Sequence, residues 1–457
     1  MSRGESGVRR MLPADRGRAN RLTFDDLLFL TVRDVLQIPL VNQVVWRFGH
    51  TVPASEVQAL HAQLGSGPFG RLAVRSSVPG ARPRWVRGIT AALLTDAPIA
   101  PSEVTTWIAA QARRGLDPVR GPGWLLSTVD TTDGETLVSL LTCHEIVDGG
   151  AVLGSTRAAV ERRNLPITPA ALHEVRRRDD LRDALHILRL AWHGLRTARR
   201  SAATTSTPPP PAPTPTRSSP RPGGPTPLGG ATAILRTDPT QWSEVARRHG
   251  GTSNSLLVAL TTELLVEAGR VRPGATVRVG LPVDTRGTDD HRSNATTGVS
   301  IQVPVGDPGS GPAVDLAEVR RLSREAFVAV SEGRRSDPTE HLRPLLQLLP
   351  AGVTRRVAAK SSAPLCLASN LGRLPATFAA PFGREASAVV MRSVTQGADA
   401  AALRERGGGI SSWWSEVSGS TTLSLAGLDP DAWPDDATLL RDAVTVLGRW
   451  GIDAQPW

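Results

Sequence analysis

Residues 201–230 are the part of this chain that no core can be built around. The stretch contains Pro208-Pro209-Pro210-Pro211 and is otherwise rich in Ser, Thr and Gly. Such a segment has little apolar area to bury, and each proline fixes φ and removes a backbone donor. It predicts an extended, mobile linker. The 457 residues are thereby divided into two stretches, 22–200 and 231–457, each long enough for a sizeable core. Residues 1–21 are rich in Arg and Gly without an apolar centre. They predict a disordered arm and not a secretory signal.

Both stretches mix the two periodicities. Val41 to Phe48, Phe69 to Arg75, Gly123 to Val129 and Thr136 to Cys143 read as strands, the last two as a hairpin about Asp133-Gly134. Ala54 to Leu64 reads as a helix, and so does Pro169 to Arg200, where Leu181, Leu185, Leu188, Trp192 and Leu195 recur at three- and four-residue spacing. In the second stretch Thr252 caps a helix running through Leu256 to Ala268, and strands follow at Thr276 to Val283 and Val299 to Val305. Helices are predicted at Leu316 to Ser331, Thr339 to Lys360 and Asp436 to Trp450. Further strands are predicted at Leu365 to Ser369, Ala388 to Val394, Ile410 to Ser415 and Thr421 to Ala426. The fold class is α/β (α+β).

The chemistry concentrates in Cys143-His144-Glu145-Ile146-Val147-Asp148-Gly149-Gly150, a His-x-x-x-Asp-Gly motif between the strand Thr136 to Cys143 and a helix over Ala151 to Arg163. A strand-to-helix turn can aim side chains into a cleft. A histidine with an ordinary pKa near 6.5 can take a proton from an amine or hydroxyl at neutral pH. Asp148 can hold the turn by pairing with an arginine, and Gly149 permits positive φ or a close backbone approach. Strand neighbours point to opposite faces, so Cys143 reads as a core residue and not as a thiol partner of His144. Taken alone, the same spacing also fits a capped helix.

Three more segments accompany the motif in order. They are Val279-Gly280-Leu281-Pro282-Val283-Asp284-Thr285-Arg286; Ser293-Asn294 with Gly298 to Val305; and Ser369-Asn370-Leu371-Gly372. Together the four resemble the condensation-domain and chloramphenicol-acetyltransferase superfamily. That group includes the condensation domains of nonribosomal peptide synthetases, the BAHD acyltransferases and the bacterial wax-ester and polyketide-ester acyltransferases. The resemblance covers Leu22 to Arg449. It implies two similar lobes, each a mixed sheet with helices, with an active-site tunnel between them. On that reading 22–200 is the lobe carrying the motif and 231–457 is the other lobe. His144 is then the general base, Asp148 and Gly149 complete the catalytic motif, and Arg286 forms a structural ion pair with Asp148. Oxyanion donors are sought at the Gly149 N–H, Asn370 and Ser369, although the last two also read as a capped turn. Trp413 and Trp414 must face opposite ways on a strand, one into the core and one, Trp414, along the tunnel. Two departures stand out. Cys143 occupies the place of the first of two histidines found in many condensation domains, and no segment matches the C-terminal Asp-Phe-Gly-Trp element of the plant enzymes.

Composition excludes other classes. The formal charge of +10 comes from 53 Lys and Arg against 43 Asp and Glu, but Lys360 is the single lysine and Tyr is absent, a bias spread along the whole chain. No zinc spacing, basic zipper or aromatic RNA-binding stretch accompanies the charge, so no nucleic-acid partner is expected. A basic surface suits the phosphates of CoA or an acidic carrier protein. Cys143 and Cys366 cannot build a disulfide framework, which points to a reduced, cytoplasmic setting. No apolar run is long enough to span a bilayer, so any membrane attachment would be peripheral. His186 and His193 read as ordinary helix residues. His291, after Asp289-Asp290, lacks further ligands for a metal. Gly407-Gly408-Gly409 lacks the spacing of a phosphate loop. With no carrier or adenylation signature, the acyl group must arrive in trans, on acyl-CoA or an acyl carrier protein, as co-substrate and not bound cofactor. The expectation is a monomeric, free-standing acyltransferase acting on a small-molecule or lipid acceptor. The rival is a non-catalytic, condensation-like docking module for a carrier protein or synthetase.

Overall fold

A computed structural model describes residues 20–88, 91–163, 177–202, 218–287, 290–307, 309, 311–332, 342–360, 364–417 and 419–457. In chain order its strands are β1 Leu40–Phe48, β2 Arg71–Val74, β3 Arg84–Arg87, β4 Leu93–Thr95, β5 Trp124–Asp130, β6 Thr136–Cys143, β7 Ala231–Thr237, β8 Thr276–Asp284, β9 Thr296–Pro304, β10 Cys366–Arg373, β11 Ala388–Thr395, β12 Ile410–Val417, β13 Ser420–Gly427 and β14 Ala454–Pro456. They form a five-stranded sheet ordered β11-β1-β6-β5-β4, a seven-stranded sheet ordered β14-β7-β13-β12-β10-β8-β9, and the ribbon β2-β3. Helices cover the sheets, giving the two-lobed mixed α/β architecture.

The lobes are not cut cleanly at the proline-rich segment. Strand β11, far beyond it, pairs antiparallel with β1, Leu40 opposite Thr395 through Arg47 opposite Ala388, and forms the edge of the N-terminal sheet. Leu374, Phe378, Ala379, Ala386, Val389, Met391 and Val394 join the N-terminal core with it. The Trp46 indole N–H donates to the Phe378 carbonyl at 2.8 Å. The linker expectation also changes at its end. Residues 218–230 lie against the C-terminal lobe, where Ser218 is buried and donates to Asp429 at 2.9 Å, and Arg221 forks onto Asp442 at 2.6 and 3.0 Å. Paired polar side chains hold this stretch where apolar area could not. Residues 203–217 of the expected linker, and 1–19 of the expected arm, lie outside the described residues, as do 164–176.

Within the N-terminal sheet β6 is central, flanked by β1 and β5, and every one of its residues is buried. Its run of Leu, Val and Thr suits a strand covered on both faces. The strand therefore delivers whatever follows Cys143 to a fixed place.

Candidate active site

After Cys143 the chain turns sharply. Ile146 N–H donates to the Cys143 carbonyl at 3.1 Å, and the His144 N–H donates to Leu40 at 3.0 Å. Cys143 is wholly buried in the N-terminal core, and burial pushes its thiol pKa well up. It is no thiolate. His144 points the other way and is half-buried. Its Nδ1 is buried. Burial lowers the pKa of His144 below the ordinary 6.5, although the Asp148 charge, its own backbone carbonyl and the Asn294 side chain act in the opposite sense.

Asp148 closes the turn. It is the N-cap of the helix Gly149–Val160, with one carboxylate oxygen accepting from the Ala151 N–H at 2.9 Å. The other accepts from the Ala295 N–H and the Thr296 hydroxyl, each at 2.9 Å. Arg286 Nη2 lies 2.7 Å from Asp148 Oδ1, with both side chains largely buried. The same guanidinium donates to the Arg292 and Ser293 carbonyls at 2.9 and 3.0 Å. Burial works against ionising Asp148, but Arg286 and the backbone N–H donors outweigh it and hold the carboxyl below its ordinary range. Every acceptor site of this carboxylate is thus occupied by a structural partner.

The partners come from one excursion of the C-terminal lobe. Strands β8 and β9 pair from Thr276 opposite Pro304 to Asp284 opposite Thr296, and the loop joining them, 285–295, reaches across to the motif. The Asp148 N–H donates to Ser293 at 2.9 Å. Asn294, fully buried, donates to Asp26 at 2.9 Å and to the Glu145 carbonyl at 3.2 Å. Asp289, two residues before His291, lies outside the described residues, and no cluster of three or more metal-binding side chains occurs among the described residues.

Three contributors were not read from the sequence. Phe29 stacks on the His144 ring, centroids 3.8 Å apart and planes 22° from parallel. It sits on a helix, Phe24–Asp34, whose Thr23 and Asp26 form a capping box. That Thr-x-x-Asp signature before an apolar run was the available signal. Arg71, buried against Trp85, donates to the Ile146 carbonyl at 3.1 Å and to Ser293 Oγ at 2.7 Å, pinning both sides of the loop junction. Glu145 is buried with neither carboxylate oxygen hydrogen-bonded, its nearest cation being Arg33 at 3.9 Å, and burial raises its pKa to about 7.

Other expectations shift. Gly149 does not adopt positive φ, and a Cβ there would meet only Leu371, at 3.8 Å. The confined glycine is Gly150, whose Cβ would fall 2.3 Å from Asp284 and 2.7 Å from Arg286. The Gly149 N–H belongs to the first turn of the helix, where such donors have no partner within the helix. Ser369 and Asn370 lie half-buried on β10, where a bulge follows Asn370, and Asn370 Oδ1 accepts from the Gly372 N–H at 2.8 Å. The bulge brings Leu371 to Gly149, so β10 abuts the motif, while the Asn370 oxygen serves its own turn. Trp414 belongs to the C-terminal core, stacked on Trp242 at 5.6 Å. The strand's alternation turns it toward the helix that carries Trp242. A depression of about 550 Å³ lined by Arg236, Gln241 and Ser420 touches none of the motif residues.

No protein-family model matches the sequence, and no curated protein matches it. Solved structures do. The first condensation domain of the CDA synthetase superposes with a TM-score of 0.57 at 15% identity, over 94% of this chain and 96% of that one. The fold is that of the condensation domains. The wax ester synthase/diacylglycerol acyltransferase of Marinobacter aquaeolei VT8 gives 0.54 at 16% identity, over 94% and 98%. The starter condensation domain of rhizomide synthetase, in complex with C8-CoA, gives 0.52 at 12% identity, over 96% of each chain.

Proposed function

We propose that this protein is an acyltransferase that moves an acyl group from a CoA or carrier-protein thioester to an amine or hydroxyl, with His144 as general base. The observation that carries the proposal is the state of His144. It stands at the seam where the β8–β9 loop meets the N-terminal lobe, with its pKa held below the ordinary value, so it is neutral and able to accept a proton at pH 7. Nδ1 of the ring is buried without a hydrogen-bond partner, and Nε2 is assigned as the basic nitrogen.

The reaction follows from that assignment. Nε2 takes the acceptor proton as the acceptor oxygen or nitrogen bonds to the thioester carbonyl carbon. The oxyanion of the tetrahedral intermediate meets the Gly149 N–H. As the carbonyl re-forms and the C–S bond breaks, Nε2–H returns its proton to the departing sulfur. General-base help of this kind is worth roughly 10²- to 10⁴-fold, and a preorganised donor about 10²- to 10³-fold. Asp148 and Arg286 hold the turn. The donor class is supported by the C8-CoA complex of the rhizomide starter domain, a thioester seated in the same fold. We assign the two substrates to opposite mouths of a tunnel along the lobe seam.

The test is thiol release from acyl-CoA and acyl-pantetheine panels with mixed amine and alcohol acceptors. Acceptor-dependent release that falls about 10²- to 10⁴-fold in His144→Ala establishes the reaction. A folded wild-type protein that releases nothing from these thioesters or from acyl carrier protein, yet binds the carrier equally well as His144→Ala, sinks it in favour of docking.

A further inference from the structure

The helix Arg177–Ala202 wears its apolar face outward. At about 100° per residue, Leu181, Leu185, Leu188 and Trp192 fall within roughly 60° of arc, and they are 50%, 54%, 53% and 57% exposed. The buried face is formed by Asp180, Asp183, Ala184, Ile187 and Ala191. Charge pairing fixes this orientation. Asp183 meets Arg82 at 3.1 Å with both side chains buried, and Asp180 meets Arg21 at 2.6 Å and also Arg84. Turning the leucines inward would strip these carboxylates of their partners. The outward stripe is therefore specified, although large apolar side chains in a row on a surface are unfavourable unless something covers them.

Beside the stripe run Arg178, Arg182, Arg189 and Arg196, all exposed, so one flank is basic. Arg182 pairs with half-exposed Asp179, and the Arg196 guanidinium lies over Trp192 at 4.9 Å. The helix packs on Arg343–Gln347, which also touches Phe24–Asp34. Leu346 on the former and Leu28 on the latter are exposed as well. Leu28 neighbours Phe29, the residue stacked on His144, on the same helix.

We propose that this face is an interfacial docking surface for an anionic membrane. A leucine-tryptophan stripe flanked by arginine suits the headgroup boundary, where the apolar side chains enter the acyl region and the guanidinium groups meet lipid phosphates. The helix lies in the interface and does not cross it: no helix among the described residues is long and apolar enough to span a membrane. The proposal does not depend on the acyl-transfer reading, because binding is measured without turnover.

The experiment is flotation of the full chain with vesicles of phosphatidylcholine alone and with about a third phosphatidylglycerol. We expect wild type to float with the anionic vesicles and to be released by salt. Leu185→Gln with Trp192→Gln, and separately Arg189→Glu with Arg196→Glu, should each weaken partitioning by about tenfold or more. These side chains are exposed, so circular dichroism should be unchanged. Wild type that stays with the aqueous phase, or variants that float undiminished, would overturn the proposal. So would a dimer in light scattering that the Leu185→Gln, Trp192→Gln variant disperses, since a second copy would then cover the face.

Discussion

His144 is presented by a turn that leaves it little freedom: Phe29 covers one ring face and Nδ1 is buried. Its pKa is lowered mainly by burial, so kcat/KM should rise with pH as the ring loses its proton and inflect below 6.5. A profile inflecting at or above 6.5 would assign the base elsewhere. Glu145, next in sequence, behaves oppositely. Its carboxyl is raised from 4.5 to about 7 in the fold. The folded state therefore keeps a proton that the unfolded chain gives up, and the penalty grows as pH climbs from 4.5 through 7. Glu145→Gln should add about 2 kcal/mol at pH 8 and nothing near pH 4. Urea unfolding at the two pH values checks this, and equal stabilities at pH 8 would show Glu145 to be comfortable as an anion. The motif residues were legible because they are adjacent in sequence. Asn294, Arg71 and Phe29 were not given roles, since each meets the motif only through the fold.

At the scale of elements, the helix Gly149–Val160 and the β8–β9 loop share Asp148 as their joint. Asp148→Ala removes an N-cap, two acceptor sites for the loop and the partner of Arg286, a loss of about 3 kcal/mol. It should lower soluble yield as well as rate, and a stable, fully active Asp148→Ala protein would contradict this role. The glycine pair separates by the same geometry. Gly150→Ala places a methyl against Asp284 and Arg286 and should cost about 1–3 kcal/mol, while Gly149→Ala, facing only Leu371, should cost under about 1 kcal/mol. Thermal melts of the two variants make the comparison, and reversed order would refute it. Most strands were legible, since runs such as Thr136 to Cys143 are buried on both sides and largely apolar. The hairpin at Asp133-Gly134 has positive φ at the glycine, as its turn chemistry demands. The helix over 339–360 divides instead into Arg343–Gln347 and Ala351–Lys360, with Pro350 between them. Residues 339–341 lie outside the described residues. The stripe from Leu181 to Trp192 was rightly helical, but periodicity finds an apolar face without saying which way it points. The inward face was set by Asp180 and Asp183, whose arginine partners lie between 96 and 159 residues away in the chain.

For the whole molecule the two sheets are held by more than their seam. Strand β11 supplies an edge of one sheet from the far side of the proline-rich segment, and the β8–β9 loop supplies the motif's partners from the same side. Cutting the chain within 203–217 should leave two pieces that stay associated through these contacts. The N-terminal piece expressed alone should be insoluble, with β1 an unpaired edge. Co-expression of residues 1–210 and 211–457 with one affinity tag tests this, and a soluble, monomeric N-terminal piece would show that β11 is dispensable. No periodicity in the sequence could have announced the exchange, because strand order is decided by the pairing of surfaces that only the folded sheets possess.

The placement of β11 also sets a timetable. Strand β6 is complete at Cys143, whereas β11 begins at Ala388. A ribosome adding about 5–20 residues per second needs on the order of ten to fifty seconds to travel between them. Throughout that interval the nascent N-terminal half carries an open strand edge and an uncovered apolar surface. Until the C-terminal half emerges, that edge and surface are open to wrong partners, so misfolding during synthesis competes with the pairing of β1 and β11.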